Sequence, residues 1–298
     1  MAGWKRCSIC GKYYKSLSAD HIPPHCCDNK GRIRYNLLYL KTLTKNGRVS
    51  ENGLKFETIC EKCNNTLGAK YDPTLSSFYK AVLSSIQKGE TGAIWEGDPA
   101  SLVKSVFGHI LAAKNIADLC PEPKRDQISG DSIKRFINYQ NSEKRDIFSN
   151  DQLDKEMRRY LISNTLPKSI HLFAFYYPYK NAIVCVQHCL PVPRPKESDP
   201  SIPEDCFMSS LYFYPLAFIA TTAIFSQGVD ILDFCPSNKA KISIPFDSWN
   251  YINLGKPKPF AWPCQTENPV LKSQTMLFGD KQLSYSTIAI KENGDYHS

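Results

Sequence analysis

The sequence predicts an α+β chain: a small cysteine-rich unit over residues 1–92, then a larger α+β domain over 93–298 in which helices precede an antiparallel-rich sheet. Three observations predict it. Two Cys-x-x-Cys pairs, Cys7/Cys10 and Cys60/Cys63, bracket most of the first unit. Apolar residues recur at helical spacing between residues 75 and 111. From residue 170 onward the apolar segments become short, aromatic and β-branched, the composition of strands. Helices that precede strands, rather than alternating with them, form the α+β pattern.

The elements follow in order. The 49 residues between the two cysteine pairs leave room for structure of their own. After Cys63 a short helix is expected, weakened by Gly68 and ended by Pro73. Thr74 caps a second helix carrying Leu75, Phe78, Val82 and Ile86, and Gly89 closes it. "KGETGAIWEGDP" (88–99) reads as a linker. Asp98 is then an N-cap with Pro99 at the first helical position, and Leu102, Val106, Ile110 and Leu111 form the apolar stripe of the next helix. Two further helices are expected over 132–141 and 151–163, then strands over 170–177, 181–190, 209–220, 241–246 and 285–290. The proline-rich stretch 190–204 reads as a long surface loop.

The composition, 42% hydrophobic and 22% charged, is that of an ordinary globular protein. Met1-Ala-Gly-Trp-Lys-Arg does not resemble a secretory leader, and the longest apolar run, Leu216 to Phe225, is too short to span a bilayer. A soluble, cytoplasmic protein is therefore expected. The net charge of +8 is unevenly placed: residues 1–90 hold 15 Lys and Arg against 7 Asp and Glu, and the remainder holds 22 of each. Localised positive charge attracts a polyanion and releases its counterions. A solvated basic face is the other reading.

Half of the 12 cysteines fall in the first 63 residues. Without a secretory leader, Cys-x-x-Cys pairs favour metal over disulfides, and Cys7, Cys10, Cys60 and Cys63 have the spacing of the four ligands of one structural zinc. Cys26 and Cys27, adjacent to His25, read as loop or buried residues, because neighbouring cysteines fit one ion poorly. "CVQHC" (185–189) reads as strand packing, and His109 and His171 as satisfied structural histidines.

Between the knuckles lies "ADHIPP", and directly after Cys63 comes Asn64. "CSIC", "ADHIPP" and "ICEKCNNTLGAKYD" together resemble the HNH endonucleases, the ββα-metal nucleases whose core is braced by a four-cysteine zinc. The resemblance covers roughly residues 4–75. It implies that Asp20 and Asn64 hold a catalytic divalent ion, Mg²⁺ or Mn²⁺, and that His21 is the general base; Asp72 is a weaker candidate for that metal site. The chain departs from the family in one respect. The asparagine that orients the base stands just before the third zinc cysteine in the family, and "LKFETIC" has none. Asn29, Asn36, Asn52 or a backbone carbonyl are the substitutes.

The chemistry of the residues agrees with that implication. Phosphodiester hydrolysis needs a water activated near neutral pH, which imidazole suits, and a hard cation on oxygen ligands to neutralise the leaving oxygen. Asp20 and His21 at a strand end would point to opposite sides, with Pro23 and Pro24 fixing the exit. Lys30, Arg32, Arg34, Lys41, Lys45 and Arg48 lie in the insert as candidate phosphate contacts, which position a nucleic acid without reading its sequence. DNA is the expected substrate, with RNA open. The resemblance further implies a prokaryotic anti-phage or restriction setting, with residues 93–298 meeting a regulatory partner, a ligand or another copy of the chain. The competing reading is a zinc-braced nucleic-acid-binding or assembly module without catalysis.

Overall fold

The computed structural model describes residues 5–38, 48–113, 152–178, 180, 182–186, 192–193, 205–206, 208–222, 229–247 and 286–291. Over these the chain mixes helices with antiparallel sheet, as an α+β fold does. β1 (Lys5–Arg6) and β2 (Tyr13–Tyr14) form a small hairpin around the first cysteine pair. β3 (Ser18–His21), β4 (Ile33–Leu38), β5 (Arg48–Ser50) and β6 (Lys55–Ile59) follow; β3 pairs antiparallel with β6, and β4 with β5. Next come α1 (Glu61–Thr66), a π-helical turn (Leu67–Tyr71), α2 (Asp72–Gln87), β7 (Gly92–Gly97), α3 (Pro99–Ala112) and α4 (Gln152–Ser163).

The remaining strands are β8 (His171–Tyr176), β9 (Ala182–Val186), β10 (Val192–Pro193), β11 (Asp205–Cys206), β12 (Met208–Phe213), β13 (Leu216–Thr221), β14 (Val229–Asp230), β15 (Ala240–Pro245) and β16 (Ser286–Lys291). Eight strands make one antiparallel sheet in the order β14-β8-β13-β12-β9-β16-β4-β5. Strands from both sides of residue 92 therefore share it: β16, near the C-terminus, pairs with β4 from the insert between the cysteine pairs. Lys291 on β16 clamps the same insert, its Nζ donating to the carbonyl (2.7 Å) and carboxylate (2.8 Å) of Asp28.

α2 packs on this sheet through aromatic contacts. Phe78 meets Phe218 with ring centroids 6.2 Å apart, and Tyr79 stacks on Phe213 at 6.4 Å. α4 closes on α3 through an edge-to-face pair, Phe107 and Tyr160, at 6.1 Å. Gly108 lets α3 approach the π-helical turn: a Cβ there would lie 2.3 Å from Leu67 Cδ2. A hydrogen bond from Thr58 Oγ1 to Ala112 O ties β6 to the end of α3.

Several expected elements form as the pattern dictates. Asp98 caps α3, accepting from Ala100 N at 2.9 Å, with Pro99 in the first turn. α4 and strands at 171–176, 182–186, 240–245 and 286–291 lie where the composition places them. Three expectations are corrected. Pro73 does not end a helix but sits in the first turn of α2, where its missing N–H costs nothing, and the π-helical turn joins α1 to α2. The expected linker 88–99 contains β7, whose Ala93 and Trp95 are buried while Ile94 is exposed, and which pairs with β15. The single strand expected over 209–220 is two, β12 and β13, turning at Tyr214-Pro215. The helix expected over 132–141 lies outside the described residues, as does the loop 190–204 apart from Val192–Pro193. Among the described residues no helix is long and apolar enough to cross a membrane.

Candidate metal centre and active site

The β1–β2 hairpin carries Cys7 and Cys10, and the start of α1 carries Cys60 and Cys63. Their four sulfurs lie within 4.8 Å of one another, with Cys10 and Cys60 3.9 Å apart. A tetrahedron of thiolates about 2.3 Å from a zinc has edges of roughly 3.8 Å, so a small contraction brings the set to that geometry. The cluster can hold a metal ion and is consistent with a structural zinc. Backbone groups stiffen it: Cys60 N donates to Cys7 Sγ at 3.3 Å, and Gly11 N to Cys7 O at 2.9 Å. A bond from the Cys63 thiol lowers the Cys7 pKa against the effect of burial, and the same bond raises that of Cys63. Cys26 and Cys27, in the turn after Pro24, stand outside the cluster; Cys27 is buried and Cys26 exposed.

β3 ends at His21, and alternation along the strand separates the two residues of the Asp-His pair. Asp20 is buried opposite Phe56, whereas His21 is half-buried opposite Lys55. His21 Nε2 lies 3.2 Å from the backbone carbonyl of Asn52. A carbonyl only accepts, so Nε2 carries the proton and, in the neutral ring, Nδ1 keeps its lone pair. Partial burial, then the charges of Lys55 and His25, depress the His21 pKa below its usual value. His25 meets the ring edge-on at 5.3 Å.

The loop that carries Asn52 is pinned by Asn29, which is wholly buried. Its amide donates to Pro23 O (2.6 Å) and Leu54 O (2.9 Å), and its Oδ1 accepts from Leu54 N (2.7 Å). Gly53 has φ +69°, and a Cβ there would lie 2.4 Å from Asn29 O. Of the sequence's four alternatives, the group on His21 is thus a carbonyl, that of Asn52, and Asn29 fixes the loop behind it. Sequence spacing missed this, because Asn29 reaches Leu54 across 25 residues.

α1 brings Asn64 against β3, where its Nδ2 donates to Ser18 Oγ at 2.8 Å and to Ala19 O at 3.4 Å. Asp72 is not on that face. It opens α2 and points inward, its Oδ1 accepting from Ser105 Oγ (2.7 Å) and facing His109 Nε2 (2.9 Å). His109, completely buried on α3, presents its other nitrogen, Nδ1, to Asp20 Oδ2 at 3.2 Å. That contact has ion-pair range without hydrogen-bond alignment, so neither atom has a hydrogen-bond partner. Burial alone would depress His109, but the Asp72 and Asp20 carboxylates outweigh it and raise its pKa to about 10. His109 therefore lies between two carboxylates that favour its protonated form, a partnership that its apolar surroundings in the sequence did not reveal.

Of the basic residues, Lys30 is exposed 3.5 Å from Asp28, and Arg32 is exposed 3.7 Å from Glu51. Arg34 lies on β4 opposite Val49, and Arg48 on β5 opposite Tyr35. Lys41 and Lys45 lie outside the described residues, as do His188 and Cys189 of "CVQHC", whereas Cys185 is buried in the sheet. His171 pairs with Asp230, Nδ1 to Oδ2 at 2.5 Å, on the far sheet edge.

No protein-family model, curated protein or solved structure matches the chain. The likeness to HNH nucleases rests on the quoted motifs.

Proposed function

We propose that the chain is a zinc-braced, divalent-metal-dependent endonuclease of the HNH kind that hydrolyses phosphodiester bonds in DNA. The observation that carries this reading is the convergence on one antiparallel pair and its following helix: β3 presents Asp20 and His21, β6 backs it, and α1 adds Asn64. Zinc on Cys7, Cys10, Cys60 and Cys63 fastens the hairpin to the helix. Asp20 and Asn64 offer the oxygen donors that a hard cation prefers, and they would hold Mg²⁺ or Mn²⁺. When bound, that ion would neutralise the negative charge that develops at the cleaved phosphate.

The chain's own residues do the rest. The Asn52 carbonyl fixes the tautomer of His21 and leaves Nδ1 to take a proton from water. A depressed pKa keeps that nitrogen unprotonated at neutral pH. Lys30, Arg32, Arg34 and Arg48, with Lys41 and Lys45, are assigned to the phosphate backbone. An anti-phage or restriction role, with the large sheet as the site of control, extends the same reading.

One observation favours a second reading. Asp20 is only 6% exposed and turns Oδ2 toward a buried histidine, as a structural carboxylate would. A non-catalytic zinc-braced module that binds nucleic acid or assembles with a partner is the alternative. His21→Ala separates the two. The nuclease reading expects DNA binding and folding intact with cleavage lost by about 10²- to 10⁴-fold. The module expects no cleavage by either protein and equal binding.

A further inference from the structure

We infer that His109, on α3 and outside the motif-bearing residues, is a positioning residue for Asp20, so that α3 sets the carboxylate that the proposed divalent ion would bind. The inference rests on the metal-site reading above.

The geometry is a chain of buried groups. Ser105 Oγ and His109 Nε2 both hold Asp72 Oδ1, at 2.7 and 2.9 Å, which fixes the imidazole ring from one side. From the other side Nδ1 faces Asp20 Oδ2 at 3.2 Å. His109 has no solvent exposure, and Asp20 and Asp72 have little. Asp20 is buried with the His109 ring facing its carboxylate, so a ring fixed by Asp72 and Ser105 limits where that carboxylate can sit. The imidazole faces Oδ2, so Oδ1 is the oxygen that the proposed cation would take. It does not itself form a metal site, since its two ring nitrogens face different carboxylates. Groups that hold a ligand from behind are worth about 10- to 100-fold in metal affinity.

α3 is well placed to transmit position. It is braced at Gly108 against the π-helical turn, at Ala112 against β6 and at Phe107 against α4. A displacement of α3 therefore reaches Asp20 through one side chain.

The test is Mn²⁺ binding to the zinc-loaded full chain, titrated by electron paramagnetic resonance, for the wild type, Asp20→Asn, His109→Gln and Asp72→Asn. Zinc content and Tm are measured on each. The expected result is one Mn²⁺ site in the wild type, lost in Asp20→Asn and weakened about 10-fold or more in His109→Gln. Asp72→Asn, which keeps the packing and loosens the ring, is expected to fall between, and it serves if His109→Gln does not fold. Unchanged Mn²⁺ affinity in both folded variants overturns the positioning role and leaves the metal site standing. A wild type with no Asp20-dependent Mn²⁺ site overturns the metal-site reading, and the inference with it.

Discussion

At the scale of the residue, His21 is oriented by a backbone carbonyl rather than by an asparagine side chain, and this makes two demands that substitution can check. The first concerns protonation. A general base works in its neutral form, and the lowered pKa of His21 keeps that form populated further into acid. The acid limb of the cleavage rate is thus expected at an apparent pKa below the usual histidine value of about 6.5. A limb above that value contradicts the assignment. The second concerns the loop. Asn29→Ala removes three buried hydrogen bonds and strands the Leu54 N–H, while Leu54 O keeps its bond from Ile22 N, at a cost of about 3 kcal/mol. Gly53→Ala places a Cβ against Asn29 O in a left-handed conformation, and a loss of similar size is expected. Both are read from urea unfolding; if either unfolds as the wild type does, the loop is not held as described. Neither residue was legible as a pin. The sequence offered three asparagines at unremarkable positions, and only the fold brings one to Leu54.

At the scale of the element, the strongest sequence signals were those with a local cause. Asp98-Pro99 starts α3 and the aromatic, β-branched segments are strands, because capping and side-chain fit act within a few residues. The failures have causes of another kind. β7 exists because β15 pairs with it from nearly 150 residues away, and no local propensity announces a partner at that distance. Pro73 was read as a stop because the same residue opens one helix as readily as it ends another. The π-helical turn between α1 and α2 is an element that hydrophobic spacing cannot foresee, and α3 closes on it only where residue 108 lacks a side chain. Gly108→Ala gains helix propensity yet drives a methyl into Leu67 Cδ2. The collision is expected to win, with a net destabilisation of about 1–3 kcal/mol in chemical denaturation. A stabilised variant would mean that α3 and the turn do not meet as closely as described.

At the scale of the whole molecule, the cysteine spacing was the most legible feature. Two knuckles in sequence become one cluster in space because tetrahedral thiolate sites need few other residues. What the sequence could not foresee is how the N-terminal unit joins the rest. β4 and β5 complete a sheet built mostly from residues beyond 170, and His109 reaches back from α3 to Asp20. Zinc removal should therefore be felt beyond the knuckles. A zinc-selective chelator is expected to lower Tm and to remove DNA binding and cleavage together, with recovery on adding zinc back. A Tm unmoved by loss of the zinc would leave the cluster without a bracing role.

The proposed centre of Asp20, His21 and Asn64 cleaves phosphodiester bonds only with its divalent ion and with His21 in place. Its most direct measurement is nicking of supercoiled plasmid by the zinc-loaded full chain in Mg²⁺ or Mn²⁺, beside His21→Ala of equal zinc content and Tm. The expected result is cleavage that needs the divalent ion and disappears with His21→Ala. Cleavage undiminished in His21→Ala, or none by the wild type in either metal while DNA is bound, would contradict it.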